Sequence, residues 1–353
     1  MEKRKEVHVL VFGGGCVGAL YSYLLSISTL AKVRTTIVCR RNYPAVSATG
    51  FTLYSALWGN HTFRPTRVCS SLDEIEDTSI YDYVLDTTKS HPSTFDGGKP
   101  PLARLLLPET TPIILIQNGV GIEEPYRLAF PKNPIASGIL YLTISQPTPG
   151  EIRQEGKANS LRIGPDHPLP EEEQEKIQFF GDVLGASCEV TVHKDIRYER
   201  WRKVAWNGCW NTVCAATGLD TQSLIQSSPE AKELIIDLLR EIAMTAEAVG
   251  IKMDPIDSLI EVHVGWTLEA PPIVPSMLQD ARKGVQMEVE VLCGNIWRAA
   301  EKVGVKTPHI KYVQIYSSTS LWQDAPTNRI CPRSLYTILT AMNWRFKGSA
   351  ENP

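Results

Sequence analysis

The order of apolar and polar residues along the chain predicts two halves with different secondary structure. In the first half, short apolar runs rich in β-forming residues alternate with helical patterns, which is typical of βαβ units and a parallel sheet. Strands are predicted over residues 7–12, 34–39, 83–87, 113–117, 135–145 and 189–192. Residues 51–57 and 62–68 flank a turn-like segment at 58–61, and this arrangement predicts a hairpin.

From residue 195 onward the periodicity becomes helical. Helices are predicted over residues 198–217, 229–249, 254–267, 276–303 and 309–323. The sequence therefore predicts a sheet domain in residues 1–194, an all-helical domain in residues 195–323 and a C-terminal extension in residues 324–353.

Composition narrows the classes of function. The formal net charge of -3 over 353 residues argues against a general binder of nucleic acid or of membrane surfaces. No apolar run reaches the ~18–20 residues of a membrane-spanning helix, and the N-terminus lacks a signal-peptide pattern, so we expect a cytoplasmic protein. The eight cysteines contain no CxxC pair and the seven histidines no HExxH pattern, so buried thiols and no metal site are predicted. The sequence leaves a homodimer open.

Gly13, Gly15 and Gly18 form a G-x-G-x-x-G motif between the first predicted strand and the first predicted helix. The first glycine permits a tight turn, the second lets the backbone approach a pyrophosphate, and the third lets helix and strand pack closely. In this position the motif predicts a dinucleotide site on a helix N-terminus. The predicted fold class is α/β, with an N-terminal Rossmann-type doubly wound sheet and an all-helical C-terminal domain. The alternative is a glycine-rich turn without a ligand.

Basic residues follow the second predicted strand, where an NAD-binding chain normally carries Asp or Glu. Arg40 and Arg41 come directly after Cys39. Guanidinium groups grip a 2′-phosphate through paired, charge-assisted hydrogen bonds, so the sequence favours NADP (NADPH) as the cofactor and Arg40 as its ligand. Either arginine can instead be an ordinary surface charge, and whether Arg41 contacts the cofactor stays open.

Two further polar residues follow predicted strands at the edge where open α/β sheets bind ligands. Lys89 comes after the strand at residues 83–87, and Asn118 after that at residues 113–117. We assign both to cofactor binding. The alternatives are a solvated lysine and an Asn-Gly turn chosen for its backbone angles.

Lys203, Asn207 and Asn211 recur at intervals of four among largely apolar residues, which puts them on one face of a buried helix. Buried polar groups need partners, and a ligand with a carbonyl and a carboxylate would supply them. A desolvated lysine loses its charge readily, so Lys203 can act as a general acid near neutral pH. The alternative is a lysine that snorkels to solvent and amides that cap neighbouring backbone.

Ser276 and Gln279 form the pattern of a capping box at the start of a predicted helix. Glu288 lies further along the same predicted helix, among apolar residues. There its carboxylate pairs with Lys203, binds a substrate, or is a solvent-facing charge like that of Glu290.

The chain resembles the ketopantoate reductase (2-dehydropantoate 2-reductase) family from about residue 7 to residue 316. The resemblance rests on GGGCVG near the start, Lys89 after a strand, QNGVG at residues 117–121 and PGEI…LRIG at residues 149–164. It rests above all on K-x-x-x-N-x-x-x-N at residues 203–211 and on SMLQD…E…G at residues 276–294.

This resemblance implies an oxidoreductase of pantothenate biosynthesis that uses NADPH to reduce a small 2-oxo acid, 2-dehydropantoate, to the 2-hydroxy acid. Carried over residue by residue, Lys203 is the general acid, Asn207 and Asn211 hold the substrate, Ser276 binds its carboxylate, and Glu288 binds or orients the reacting oxygen. The resemblance also implies extra antiparallel strands in the first domain and a site in the cleft between the two domains.

The sequence departs from the family pattern around the substrate residues. Residues 271–275 are largely apolar, residues 284–287 replace a basic and hydroxyl-rich approach to Glu288, and Trp206 and Trp210 flank the amides. Two alternatives therefore stay open. One is a related reductase of another branched 2-oxo acid, such as 2-ketoisovalerate, or of a secondary-metabolite ketone or imine. The other is a non-catalytic NADP-binding sensor, against which the presence of both Lys203 and Glu288 argues.

Overall fold

The computed structural model describes residues 6–318 of the chain. It divides into two compact units. The first takes in the residues up to Asn118 and Ile122–Glu199, and the second takes in Gly119–Gly121 and the residues from Arg200 onward. The domain limits from the sequence, 1–194 and 195–323, stay a prediction, and the extension at 324–353 lies outside the described residues.

The first unit is built on one sheet, to which the described residues contribute ten strands. In chain order they are β1 (Glu6–Phe12), β2 (Lys32–Val38), β3 (Phe51–Ser55), β4 (Gly59–Phe63), β5 (Arg67–Cys69), β6 (Tyr83–Asp86), β7 (Ile113–Leu115), β8 (Ile135–Ser145), β9 (Glu151–Gly164) and β10 (Glu189–Val192). The α-helices of this unit are α1 (Cys16–Ser26), α2 (Tyr43–Thr49), α3 (Glu124–Ala129) and α4 (Glu171–Gly185).

The sheet has the strand order β4-β3-β9-β8-β7-β6-β1-β2-β5, and β10 pairs with β9. From β5 to β8 the neighbouring strands are parallel. Numbered among themselves in chain order, these strands run 3-2-1-4-5-6, the order of the dinucleotide-binding doubly wound fold, which reverses between β1 and β6. The pairs β8/β9 and β3/β4 are antiparallel. The predicted Rossmann-type doubly wound sheet is confirmed.

The central strands are apolar and buried on both faces, as parallel strands covered by helices must be. Every residue of β6 and β7 is buried. The predicted hairpin forms between β3 and β4, but its second strand is shorter than predicted. Pro65, which cannot donate a backbone hydrogen bond, separates β4 from β5, and β5 pairs with β2 at the other edge of the sheet.

The second unit is helical in the residues that the structure describes, apart from Gly119–Gly121, so the predicted all-helical domain is confirmed. Its α-helices are α5 (Arg197–Trp206), which carries the division between the units, α6 (Thr212–Thr217), α7 (Thr221–Ser227), α8 (Pro229–Ala248), α9 (Ile256–Ile260), α10 (Trp266–Glu269), α11 (Ser276–Arg282), α12 (Asn295–Val303) and α13 (Pro308–Ser318). Five-residue π-helical turns occur at Asn207–Asn211, Glu261–Gly265 and Glu290–Gly294.

A π-helical turn interrupts the predicted helix at residues 198–217, and α5 and α6 lie on either side of it. Gly208, inside this turn, packs closely against neighbouring elements. A Cβ at Gly208 would lie 2.8 Å from Ile242 Cδ1 and 3.2 Å from Leu292 O. The hydroxyl of Thr212 donates to the carbonyl of Gly208. This carbonyl lies in the turn where α-helical hydrogen bonding is replaced by π-helical bonding.

The predicted helix at residues 276–303 is wrong as a single element. α11 ends at Arg282, because Gly284 has a φ of 62° and the Val285 N–H donates to Asp280 O at 3.0 Å. This left-handed glycine cap stops the helix. Glu288 therefore lies in a non-helical segment before the π-helical turn at Glu290–Gly294.

No group of three or more His, Cys, Asp or Glu placed to hold a metal ion occurs among residues 6–318. In the same part of the chain, no helix is long and apolar enough to cross a bilayer. Most of the described cysteines are buried free thiols, and Cys331 lies outside the described residues.

Candidate active site

In the loop between β1 and α1, each position of the motif has a different reason to be glycine. Gly13 has a φ of 115°, and a Cβ there would lie 2.8 Å from Thr87 Oγ1. A Cβ at Gly18 would lie 2.0 Å from Gly13 O, so this glycine is required for helix and loop to pack. A Cβ at Gly15 would meet no atom within 4 Å. Packing inside the protein therefore does not require glycine at position 15, whereas the close approach of a phosphate would.

The N-terminus of α1 lies at the same loop. Gly15 is its N-cap, no side chain caps it, and its first turn contains no acidic residue. Such a helix end offers N–H groups and a partial positive charge to an anion. Asn42, which sequence reasoning missed, supports the loop because its Nδ2 donates to Gly14 O and, at 3.0 Å, to Gln146 Oε1.

Basic side chains gather beyond β2 and β6. Arg40 and Lys89 are both exposed. The pKa of His91 falls to about 4, first because the ring is buried and then because Lys89 and Arg40 place positive charge near it. The structure thus brings Arg40 and Lys89 within electrostatic reach of one imidazole, a surrounding that suits an anionic ligand. Arg41 is also exposed, and its role stays open.

Asp86, the last residue of β6, carries a fully buried carboxylate that sequence reasoning missed. Its Oδ1 accepts hydrogen bonds from the Thr88 N–H (2.9 Å), the Thr88 hydroxyl (2.6 Å) and Gln117 Nε2 (3.2 Å). Its Oδ2 accepts one from the Tyr126 hydroxyl at 2.6 Å. Burial raises the pKa of Asp86, and the bonds from Thr88 and Tyr126 oppose that rise.

This network joins the loops that carry the predicted cofactor ligands of the first unit. Thr87, next to Asp86, donates its hydroxyl to Gly13 O at 2.9 Å. Thr88 precedes Lys89, and Gln117 precedes Asn118, which is half-buried. One carboxylate therefore organises the ends of β6 and β7 beside the glycine loop. The cofactor contacts of Lys89 and Asn118 stay predictions.

Lys203 lies half-buried on α5, in the second unit. Its pKa falls to about 7, chiefly because burial disfavours the charged ammonium and then because of the positive charge of Arg200, while Glu288 opposes the fall. Glu288 is only 7% exposed, so it is not a solvent-facing charge. The structure brings the predicted acid and the predicted carboxylate within electrostatic reach of each other.

The two amides of the Lys203 motif are buried: Asn207 is 6% exposed and Asn211 is 2% exposed. Asn211 Oδ1 accepts hydrogen bonds from the Met277 N–H (3.2 Å) and from the hydroxyl of Ser276 (3.4 Å). Asn211 therefore lies beside Ser276 and caps α11 from another element, and the substrate contacts of both residues stay predictions.

The predicted capping box at Ser276 is wrong. Ser276 is the first residue of α11, Pro275 is its N-cap, and no side chain caps the helix locally. Gln279 instead donates to Val274 O at 3.0 Å. The Ser276 residue is exposed.

Arg200 is a third residue that sequence reasoning missed, although its place one helical turn before Lys203 was the available sign. It is 5% exposed, and its Nη1 donates to Gly119 O at 2.9 Å. The QNGVG motif thus has a structural role in the second unit as well. A Cβ at Gly119 would lie 2.4 Å from Val291 Cβ, and the Val120 N–H donates to Val291 O at 3.1 Å.

Family models match most of the chain. The model described as ketopantoate reductase PanE/ApbA matches residues 9–167, and that described as ketopantoate reductase PanE/ApbA C terminal matches residues 195–316. The chain belongs to the ketopantoate reductase family, a family of oxidoreductases, as the sequence motifs indicated.

Relatives and solved structures agree with this membership. An uncharacterised protein of Saccharomyces cerevisiae is 29% identical over an alignment of 327 residues, and the match covers 85% of this chain and 89% of the yeast protein. The crystal structure of 2-dehydropantoate 2-reductase from Methylococcus capsulatus has a TM-score of 0.75 and 29% identity, and the match covers 90% of this chain and 100% of that one. The structure of D-mandelate dehydrogenase with NADH and anilino(oxo)acetate shares the fold, with a TM-score of 0.76, 20% identity, and coverage of 88% and 97%.

Proposed function

We propose that this protein uses NADPH to reduce a 2-oxo acid to the 2-hydroxy acid, with 2-dehydropantoate as the first candidate substrate. The observation that carries the proposal is the setting of Lys203, whose pKa is lowered and which has the Glu288 carboxylate nearby. A lysine whose pKa is about 7 is a competent proton donor at neutral pH, and it lies within electrostatic reach of the buried Glu288 carboxylate in a member of an oxidoreductase family.

The residues of the first unit fit the phosphates of NADPH. Gly15 leaves room beside bare backbone, and α1 begins there without an acidic residue in its first turn. Arg40 and Lys89 supply positive charge for a 2′-phosphate, and no acid follows β2 to bind a 2′-hydroxyl. When bound, the cofactor would supply the hydride that the keto carbon receives.

The residues of the second unit would manage the oxygen and the proton. Lys203 would stabilise the developing alkoxide by its charge and then donate its proton to that oxygen. Glu288 would orient the ammonium and the reacting oxygen. Because the oxygen of Asn211 accepts bonds at α11, Asn211 can offer a substrate only its amide N–H groups, which suit a carboxylate. Ser276 would bind the same carboxylate, and Asn207 would hold the rest of the acid.

A branched 2-oxo acid without a hydroxyl group, such as 2-ketoisovalerate, is the second candidate substrate. The apolar stretch at residues 271–275, directly before Ser276, favours it. D-mandelate dehydrogenase, solved with anilino(oxo)acetate, offers a precedent for a different acid on this fold.

The test is NADPH oxidation, followed by its absorbance, with 2-dehydropantoate and 2-ketoisovalerate side by side and NADH in parallel. We expect a higher kcat/KM with NADPH, and a kcat at least ~10²-fold lower in Lys203→Ala. Arg40→Ala should weaken NADPH more than NADH, and Arg41→Ala, measured in parallel, decides whether the neighbouring guanidinium also contributes. Turnover of neither acid by protein that binds NADPH would favour a sensor, and equal weakening of both cofactors by Arg40→Ala would contradict the 2′-phosphate role.

A further inference from the structure

Arg200 and Lys203 are three residues apart on α5, so their side chains leave the helix from the same side. Arg200 is buried, and arginine at such a position keeps its charge at any pH at which the protein is folded. A buried cation so near a lysine makes it costly for that lysine to carry its own charge, because like charges repel more strongly where water is excluded.

The guanidinium of Arg200 is fixed in place. Its Nη1 donates to the carbonyl of Gly119 at 2.9 Å. That carbonyl belongs to a closely packed loop: Gly119 has a φ of 95° and no room for a Cβ beside Val291, and Asn295 Nδ2 donates to Val120 O at 2.6 Å. The hydrogen bond and the packed loop therefore hold the positive charge of Arg200 at one position.

Lys203 responds to this fixed charge. Burial is the largest cause of its lowered pKa of about 7, Arg200 is the second, and Glu288, from the segment before the π-helical turn at Glu290–Gly294, is the opposing one. With Glu288 acting alone, the lysine would hold its proton more tightly. Arg200 offsets that effect.

We infer that Arg200 is a positioning residue for Lys203: a permanent buried charge, one helical turn away and held by the Gly119 loop, that favours release of the proton from the lysine. This inference rests on the proposed function, in which Lys203 is the general acid. It makes Arg200 a determinant of the pH range of the reaction rather than a group that touches the substrate.

The experiment separates charge from shape. In the full chain labelled with 13C at the lysine Cε, the titration of Lys203 is assigned by its absence in Lys203→Ala. We expect Arg200→Gln, which can still donate to a carbonyl, to raise the pKa of Lys203 by about one unit or more. Arg200→Lys, which keeps a cation, should shift it much less. Arg202→Gln, on the same helix, is the matched control and should leave it unchanged.

Unaltered titration of Lys203 in Arg200→Gln would overturn the inference, and so would equal shifts in Arg200→Gln and Arg200→Lys. If Arg200→Gln does not fold, Arg200→Met, which keeps an apolar stem, carries the same expectation. The limb of the kcat profile that falls at high pH should move with the titration when a 2-oxo acid is turned over. Absence of turnover would refute the proposed function, whereas the titration still decides the role of Arg200.

Discussion

Replacing Asp86 should loosen the loops that the proposed cofactor site depends on. In Asp86→Ala, Gln117 Nε2 keeps its bond to Thr88 O at 2.9 Å. The Thr88 N–H and the hydroxyl of Tyr126, a residue only 1% exposed, lose their acceptor. The hydroxyl of the half-buried Thr88 loses its acceptor too, but it can rotate towards another one, so it is not counted here. Each buried donor left without an acceptor costs about 1–3 kcal/mol, so two cost about 2–6 kcal/mol. We expect the lower half of that range, because alanine removes the cost of burying a carboxylate.

Asp86→Asn is the matched control, since it keeps the shape and the Oδ1 acceptor, loses the charge, and replaces Oδ2 by an amide NH2 that can donate to the Tyr126 oxygen. It should destabilise the first unit less than alanine does. Burial raises the pKa of Asp86 above its ordinary value of 3.8, so between these two values the folded state binds more protons than the unfolded state. The contribution of aspartate to stability therefore falls as pH rises through that window. The difference in free energy of unfolding by which the wild type exceeds Asp86→Asn should therefore shrink above about pH 4.

The assay must isolate the first unit, because a chain of two compact units need not unfold in one step. Hydrogen exchange of residues 84–90 and 113–117 measures local opening there. A titration with NADPH measures the effect on the site. We expect faster exchange and weaker binding in Asp86→Ala, and values near those of the wild type in Asp86→Asn. Unchanged exchange in Asp86→Ala would refute the view that this carboxylate organises the loops.

Three further predictions follow from the site. The kcat of NADPH-dependent reduction should fall above about pH 7, about tenfold per pH unit, because neutral Lys203 cannot donate a proton; a flat profile would contradict its role. Gly15→Ala should leave the Tm unchanged yet weaken NADPH at least about tenfold, whereas Gly18→Ala should lower the Tm; a dye-monitored melt and a binding titration distinguish them. Asn211→Ala should cost about 0.5–2 kcal/mol in urea unfolding through loss of the α11 cap, and Asn211→Asp, which keeps the acceptor, should cost less.

Much of the fold could be predicted because its determinants are local. β8 occupies the predicted residues 135–145, since a run rich in isoleucine, leucine, tyrosine and threonine favours a strand without a distant partner. Gly13 and Gly18 could be recognised because the spacing of one short motif identifies the positions at which only glycine fits. The intervals of four at Lys203, Asn207 and Asn211 pointed to buried polar residues for a similar reason.

What could not be predicted depends on residues far apart in sequence. The partners of Asp86 include Gln117 and Tyr126, 31 and 40 residues away. Asn211 caps a helix whose bonded N–H is 66 residues further on, and no short-range pattern reveals that. Gly284 and the π-helical turns interrupt periodicities that continue on either side of them, so the apolar pattern alone predicted unbroken helices.

The π-helical turn at Asn207–Asn211 has a consequence for how this protein could be redesigned. Such a turn closes its hydrogen bonds over one more residue than an α-helix, so it behaves as an insertion that the helix has already absorbed. Deleting Gly208 would therefore let α5 and α6 join as one α-helix, and the side chains beyond the turn would keep their faces. In a helix without such a turn, the same deletion would rotate everything beyond it by roughly 100° about the helix axis. The turn thus makes this stretch of the chain tolerant of the loss of one residue, which an uninterrupted helix is not.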